Sequence, residues 1–377
     1  MRKVIIMKKD PLDENMKVAT FSDENIRYYK VDDSDNFVLE GAPFREKGGS
    51  FRRLPEKTEL FPYSEMVDLL ANHSAGISLR FSSDTSDIRV RAKVRKYHHT
   101  GDIMSYGRAG FDLYCGEPQK SFCAGVTILN FDELEHPECM VNTRIFNRPN
   151  PSKKINEFQI NFPLYAEVLE FEVGLEKDAK ILAPSPRKNP RPIIIYGTSI
   201  EQGCCASRPG MAYSNQLSRR LNREVINLGF AGNGKGEEFM ARLLADIPNP
   251  GAYVLWYDSN VSPDELETTL PKFTDILRNR HRYIPIVTIS RLQYPEETPV
   301  NGISQEIIIS RERRTSIHSE NLHRRIKLGD SRIHFIDGRK ILDGNPEECY
   351  VDLIHPNDLG MTKITDALAP RLAIIAE

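Results

Sequence analysis

Four prolines fall within the ten residues Ala183-Pro-Ser-Pro-Arg-Lys-Asn-Pro-Arg-Pro192, and the apolar period of the chain changes across them. Proline fixes φ and lacks an N–H, so this stretch reads as a stiff linker, outside any helix or central strand. Before it, Ile88-Arg-Val-Arg-Ala-Lys-Val-Arg95 alternates apolar and basic residues, and Leu169-Glu-Phe-Glu-Val-Gly-Leu-Glu176 alternates apolar and acidic ones. A period of two means strands with one face in a core and the other in water. Residues 76–81, 110–114 and 157–162 are further short strand candidates between turn-rich segments. The expectation for residues 1–183 is an all-β antiparallel sandwich of jelly-roll type.

After the linker, residues 184–192, apolar strand candidates alternate with amphipathic helices. The strands are expected at 193–196, 224–228, 252–257, 285–289 and 333–336. One helix start is explicit: Ser262-Pro-Asp-Glu265 places Ser at the N-cap, Pro at N1 and Glu at N3. Residues 357–376 read as a closing helix. Residues 193–377 are therefore expected to form an α/β domain, a parallel sheet with helices on both faces.

Composition narrows the partners. The chain has 377 residues, enough for two domains, and a net charge of −2. That balance gives no footprint for nucleic acid or an anionic membrane, and no apolar run approaches a bilayer span. The N-terminal apolar run is four residues, too short for a signal-peptide core. Cytoplasmic location with six free cysteines, at 115, 123, 139, 204, 205 and 349, is the expectation. The cysteines and histidines show no metal-ligand spacing, so neither metal nor cofactor is expected.

Four stretches of the second half carry the chemistry: Gly197-Thr-Ser-Ile200, Asn227-Leu-Gly-Phe-Ala-Gly-Asn-Gly234, Asp258-Ser-Asn260 and Asp352-Leu-Ile-His355. The first three follow predicted strands directly, and in a parallel sheet the carboxyl ends share one edge. Acyl transfer explains why these residue types would meet there. A serine hydroxyl such as that of Ser199 needs a base, and His355 can serve. The imidazole needs a carboxylate on its other nitrogen to fix the tautomer, and Asp352 is placed for that. The charge on the tetrahedral intermediate needs donors, a glycine N–H and a side-chain amide such as that of Asn260. Each piece has a plainer reading: a solvated turn for Asp352 and His355, a helix cap for Asn260, a tight turn or phosphate cradle for Gly229, Gly232 and Gly234. Their joint order and strand-end placement are much harder to obtain by accident.

With these four blocks the sequence resembles the SGNH, or GDSL-type, hydrolases over residues 193–377. The resemblance implies a flavodoxin-like three-layer domain, with Ser199 as nucleophile and Asp352 and His355 completing the triad. It implies Gly232, Asn260 and the Ser199 N–H as the oxyanion hole. Two positions depart from the commonest pattern: Thr198 replaces Asp, and Asp258-Ser259 replaces Gly-Gly. Gly110-Phe-Asp-Leu-Tyr114 is similar to the Gly-x-Asp-Leu-Tyr signature of a β-sandwich domain that precedes one branch of the family. That branch implies esterases, with carbohydrate esterases and some acyltransferases among its relatives.

The expected function is a serine esterase for small O-acyl esters, including acetyl esters of sugars. An acyltransferase using the same acyl-enzyme is the alternative, and a non-catalytic carbohydrate-binding protein is a third. A homo-oligomer is compatible with the composition. Cys204 and Cys205 read as packing near the site, Trp256 and Tyr257 as core, and His98-His99 as solvated surface. Residues 291–300 are expected to overhang the active edge, and the charged helix at 311–325 to present a solvated face.

Overall fold

The structure is a computed structural model that describes residues 24–96, 103–127, 137–297, 304–342 and 346–377. The N-terminal segment, His98-His99 and residues 298–300 of the overhanging loop lie outside the described residues. In the first half the elements are β1 (Ile26–Lys30), β2 (Val38–Glu40), α1 (Glu65–Ala71), β3 (Ser78–Ser83), β4 (Asp87–Lys96), α2 (Ser105–Ala109), β5 (Asp112–Cys115), β6 (Phe122–Val126), β7 (Glu138–Asn147), β8 (Asn156–Asn161), β9 (Ala166–Glu176) and β10 (Ile181–Leu182). They form two antiparallel sheets, ordered β1-β9-β4-β7 and β10-β3-β8-β5-β6, with β2 pairing the same edge of β3 as β10. The alternating strands put Ile88, Val90, Ala92 and Val94 inward, where they meet Leu79, Phe81, Phe158 and Ile160 of the facing sheet. Phe111, Phe162 and Phe171 fill the centre, with ring centroids 4.6 to 5.4 Å apart. This is a sandwich, as the period-two runs require.

The second half contains β11 (Asn189–Gly197), α3 (Ser199–Gln202), α4 (Tyr213–Leu221), β12 (Arg223–Gly229), α5 (Glu238–Asp246), β13 (Ala252–Trp256), α6 (Pro263–Arg280), β14 (Ile286–Ile289), α7 (Gln305–Lys327), β15 (Ile333–Ile336) and α8 (Asp358–Ile375). The strands are parallel, in the order β12-β11-β13-β14-β15. Successive residues of β11 enter opposite layers. Ile193 and Ile195 pack with Leu217 of α4 and Leu368 of α8. Ile194 and Tyr196 pack with Leu244 of α5 and Phe273 of α6. The strand order reverses between β11 and β13, and the crevice above that reversal is where such sheets bind ligands. Among the described residues no helix is long and apolar enough to cross a membrane.

β11 begins four residues earlier than expected, inside the proline stretch. Asn189 pairs with Arg223, but the next pair is Ile193 with Val225, so β11 bulges between them. Pro190 and Pro192 sit in that bulge, where no ladder N–H is required, and a central strand tolerates them.

The two halves interlock. Val67 and Leu70 of α1, with Leu54 and Tyr63 before it, pack into the second half's core beside Tyr196 and Phe230. Arg53 is fully buried and donates to the carbonyls of Leu70, His73, Asn227 and Gly229 at 2.7 to 3.2 Å. The signature strand β5 makes the other joint. Phe111 and Leu113 face the sandwich core. Asp112, pointing the other way, accepts from Arg208 Nη1 (2.7 Å), the Gly210 N–H (2.7 Å) and Asn161 Nδ2 (2.7 Å). The Tyr114 hydroxyl meets Arg208 and Arg219, whose guanidinium lies 3.7 Å over the Tyr114 ring.

Candidate active site

β11 stops at Gly197 and the chain turns at once into the short helix α3, with Thr198 as its N-cap. Thr198 Oγ1 accepts from the Ile200 N–H at 3.2 Å, and Glu201 Oε2 accepts from the Thr198 N–H at 2.6 Å and from Thr198 Oγ1 at 2.8 Å. This is a capping box, and it accounts for threonine at the first departure from the family pattern. Glu201 folds back over Gly197, where a Cβ would stand 2.3 Å from the carboxylate. Only glycine leaves room for it. Burial raises the Glu201 carboxyl to about 7, and the Tyr213 hydroxyl donates to its other oxygen at 3.2 Å.

Asp352 and His355 occupy a tight turn before α8, closed by a bridge between Tyr350 and Pro356. Leu353 holds φ at +68°, a left-handed conformation uncommon for a side-chain-bearing residue. The turn lets Asp352 Oδ1 accept from the N–H groups of Ile354 (3.1 Å) and His355 (2.7 Å). Asp352 Oδ2 lies 2.6 Å from His355 Nδ1, and His355 Nε2 lies 2.8 Å from Ser199 Oγ. A carboxylate only accepts, so Nδ1 carries the proton and Nε2 is left to accept from the serine. Burial pushes the Asp352 carboxyl up, but the bonds from the His355 ring and backbone outweigh it and hold it below its usual value.

The loop after β12 supplies the opposite wall. Gly232 has φ of +67°, and a Cβ there would meet nothing within 4 Å. Its backbone conformation, rather than crowding, asks for glycine. Among the described residues no protein acceptor takes the Gly232 N–H, and the Ser199 N–H, first in its helix, has no intrahelical partner. Gln202 anchors the loop: its Oε1 accepts from the Ala231 N–H at 3.1 Å, and its Nε2 donates to His73 Nδ1 at 2.9 Å and to the Leu164 carbonyl at 3.1 Å. Burial, then the neighbouring Arg53, holds His73 down to about 3, so it accepts as a neutral ring.

Asn260 ends a 3-10 turn, Asp258–Asn260, that follows β13. Its amide donates to the carbonyls of Phe230 (3.3 Å) and Gly234 (3.2 Å) and borders the same cavity. Asp258, at the second departure from the family pattern, is fully buried and accepts from the Arg291 N–H at 2.7 Å. Arg314 of α7 donates to the carbonyls of Asp258 and Val261. That helix presents the expected solvated face, along Glu312, Arg313, Ser316 and Glu320; its opposite face is polar yet buried at Arg314, His318, Asn321 and Arg325, because carbonyls and carboxylates of neighbouring elements receive the charges.

These elements enclose a cavity of about 390 Å³. Ser199, Gly232, Asn260 and His355 line it, while Asp352 stands behind His355. Sequence reasoning did not single out Tyr165, Ile103 or Tyr294, which also line it. Tyr165 and Ile103 come from the first half, and the Tyr165 hydroxyl donates to the Ser199 carbonyl at 3.3 Å. Tyr294 comes from the loop expected to overhang the edge, and its hydroxyl donates to Ser259 Oγ at 3.1 Å. The Thr-x-x-Glu spacing was the one legible signal for Glu201. Trp256 and Tyr257 are buried in the core as expected.

Among the described residues one group of side chains could share a metal ion: Cys204, Cys205 and His355, with ligand atoms all within 4.8 Å of one another. Linear spacing could not reveal it, since His355 is brought in from a distant turn.

The profile of the GDSL-like lipase/acylhydrolase family matches residues 190–373, and that of the GxDLY N-terminus of SGNH-type esterases matches residues 26–181. No curated protein matches by sequence. Among solved structures, a protein of Bacteroides ovatus ATCC 8483 assigned as a GDSL-like lipase is 29% identical, with a TM-score of 0.80 over 93% of this chain and 98% of that one. The salicylyl-acyltransferase SsfX3 of a tetracycline biosynthetic pathway is 20% identical, with a TM-score of 0.72 over the same shares. A family two carbohydrate esterase from Cellvibrio japonicus is 13% identical, with a TM-score of 0.55, again over 93% and 98%. At such identities the last two show a shared fold alone. With profile matches to both halves and a common two-domain architecture, the chain belongs to the SGNH, or GDSL-type, esterases, in the branch with a Gly-x-Asp-Leu-Tyr β-sandwich domain.

Proposed function

We propose that the protein cleaves small O-acyl esters through an acyl-enzyme on Ser199, with acetyl esters of carbohydrates as the first substrate class to test. The observation that carries this reading is the continuous relay from Asp352 through His355 to Ser199 Oγ, at 2.6 and 2.8 Å, opening into the cavity. Ser199 Oγ attacks the ester carbonyl as its proton passes to His355 Nε2. Asp352 holds the resulting imidazolium. The oxyanion is met by the N–H groups of Ser199 and Gly232 and by the Asn260 amide. The C–O bond to the alcohol breaks, and His355 returns the proton to the leaving alkoxide. Water then repeats the sequence, releasing the acid. No step calls for a metal or cofactor.

A second reading, transfer of the acyl group to an alcohol or amine, gains support from the cavity's apolar walls. Ile103, Tyr165, Ile200, Ala231 and Tyr294 line it, and an apolar lining favours an acceptor other than water. The carbohydrate and salicylyl chemistries named for the solved relatives keep both classes in view.

A fluorophosphonate should label Ser199 alone, and Ser199→Ala and His355→Ala should each abolish turnover of aryl acetates and acetylated sugars with the fold intact. Label on another serine, or full activity in Ser199→Ala, overturns the assignment. Adding alcohol acceptors to the same assay separates transfer from hydrolysis.

A further inference from the structure

Cys204 and Cys205 follow the nucleophile turn directly, and both are buried. Side chains of adjacent residues normally diverge, on helices and strands alike. Here Cys205 holds φ at +66°, and the two sulfurs lie 3.5 Å apart. Two thiolates sharing one tetrahedral zinc, each at about 2.3 Å, lie about 3.8 Å apart. The pair is thus spaced for a single ion.

His355 provides the third donor atom, since all three ligand atoms fall within 4.8 Å of one another. Its Nδ1–H is given to Asp352, so Nε2 carries the lone pair. Histidines that bind metal commonly give their other N–H to a carboxylate, which fixes the ring and raises its basicity. That outer arrangement is already in place. Cys204 borders the cavity, so an ion would enter by the substrate's path.

We propose that Cys204, Cys205 and His355 form a site for a soft divalent cation, zinc foremost, and that its occupation silences the esterase. On binding, two thiols release their protons to solvent, the sulfurs and Nε2 donate lone pairs to the ion, and water takes the fourth position. Ser199 then loses its acceptor. That the ion binds follows from the ligand geometry; that it inhibits rests on His355 as the base of the proposed reaction.

The test uses the full chain, freed of metal and held reduced. Cobalt(II) should give one equivalent of near-ultraviolet thiolate-to-metal absorption, in wild type and equally in Ser199→Ala. Cys205→Ala should weaken that band. Free zinc, set by a metal buffer, should inhibit aryl-acetate hydrolysis saturably, with recovery on chelation. The midpoint should rise by at least about tenfold in Cys205→Ala, since even an outer partner of a ligand is worth that much. Absence of the cobalt band in wild type overturns the site, whatever the state of the Cys205 variant. An unchanged zinc midpoint in a folded Cys205→Ala overturns the role of the thiols. A normal band without inhibition would leave the site standing and count against His355 as the base.

Discussion

Asn260 is held by two long hydrogen bonds, so swinging one N–H toward an oxyanion disrupts little. Asn260→Ala should lower kcat by about 10²–10³, the range for losing one oxyanion donor, with KM little changed. An equal effect on KM alone would assign Asn260 to ground-state binding. Asp352→Asn should act through the tautomer. An amide can donate to Nδ1, which moves the ring proton to Nε2 and removes the acceptor for Ser199, a loss of about 10²–10⁴ in kcat. Activity of Asp352→Asn near wild type would remove Asp352 from the relay. At this scale the sequence displayed the residues whose chemical type is distinctive. A serine, a histidine and an Asp-x-x-His spacing are visible on a line of letters. Tyr165, Gln202 and Tyr294 were not, because a tyrosine or glutamine anywhere in a chain looks alike until the fold brings it to a cavity.

Glu201 governs the pH response of the turn that carries Ser199. Burial raises its carboxyl in the fold to about 7, above the ordinary glutamate value of 4.5. The protonated carboxyl is the form the fold favours, so its contribution is whole below about pH 4.5 and is lost as pH rises toward and past 7. The loss is about 3 kcal/mol at most. Glu201→Gln can still accept from Thr198 while removing the titration. The melting temperature of wild type should therefore fall more between pH 5 and 8 than that of the variant; parallel curves would show that Glu201 does not titrate in this window. Elements were read well where burial is two-sided, as in the parallel strands, whose apolar runs admit few alternatives. The start of β11 was missed because a bulge exempts Pro190 and Pro192 from the ladder. The buried arginines of α7 were missed because charge predicts water until partners such as the Asp258 carbonyl are known.

The joint between the halves sets the scale of the whole molecule. Asp112 is fully buried, and removing it strands the Gly210 N–H and takes from Arg208 its carboxylate partner. Asp112→Ala should cost about 3–5 kcal/mol, as when one partner of a buried pair is removed. Trp256, the only tryptophan, sits in β13 and so reports on the second half. Its denaturant transition should shift to lower concentration although the substitution lies in the first half; an unmoved midpoint would show the halves to be uncoupled. The period change across the prolines revealed two architectures, but not that Leu54, Tyr63, Val67 and Leu70 pack with the second. Nothing in a short apolar run names the sheet it will meet. This packing has a consequence for synthesis. The ribosome releases Leu54–Leu70 long before β11, β12 and α5, which cover these side chains, have been made. At bacterial or eukaryotic rates of about 5–20 residues per second, the gap is about 10–30 s. During it the nascent sandwich carries a bare apolar flank, a natural landing place for a ribosome-associated chaperone.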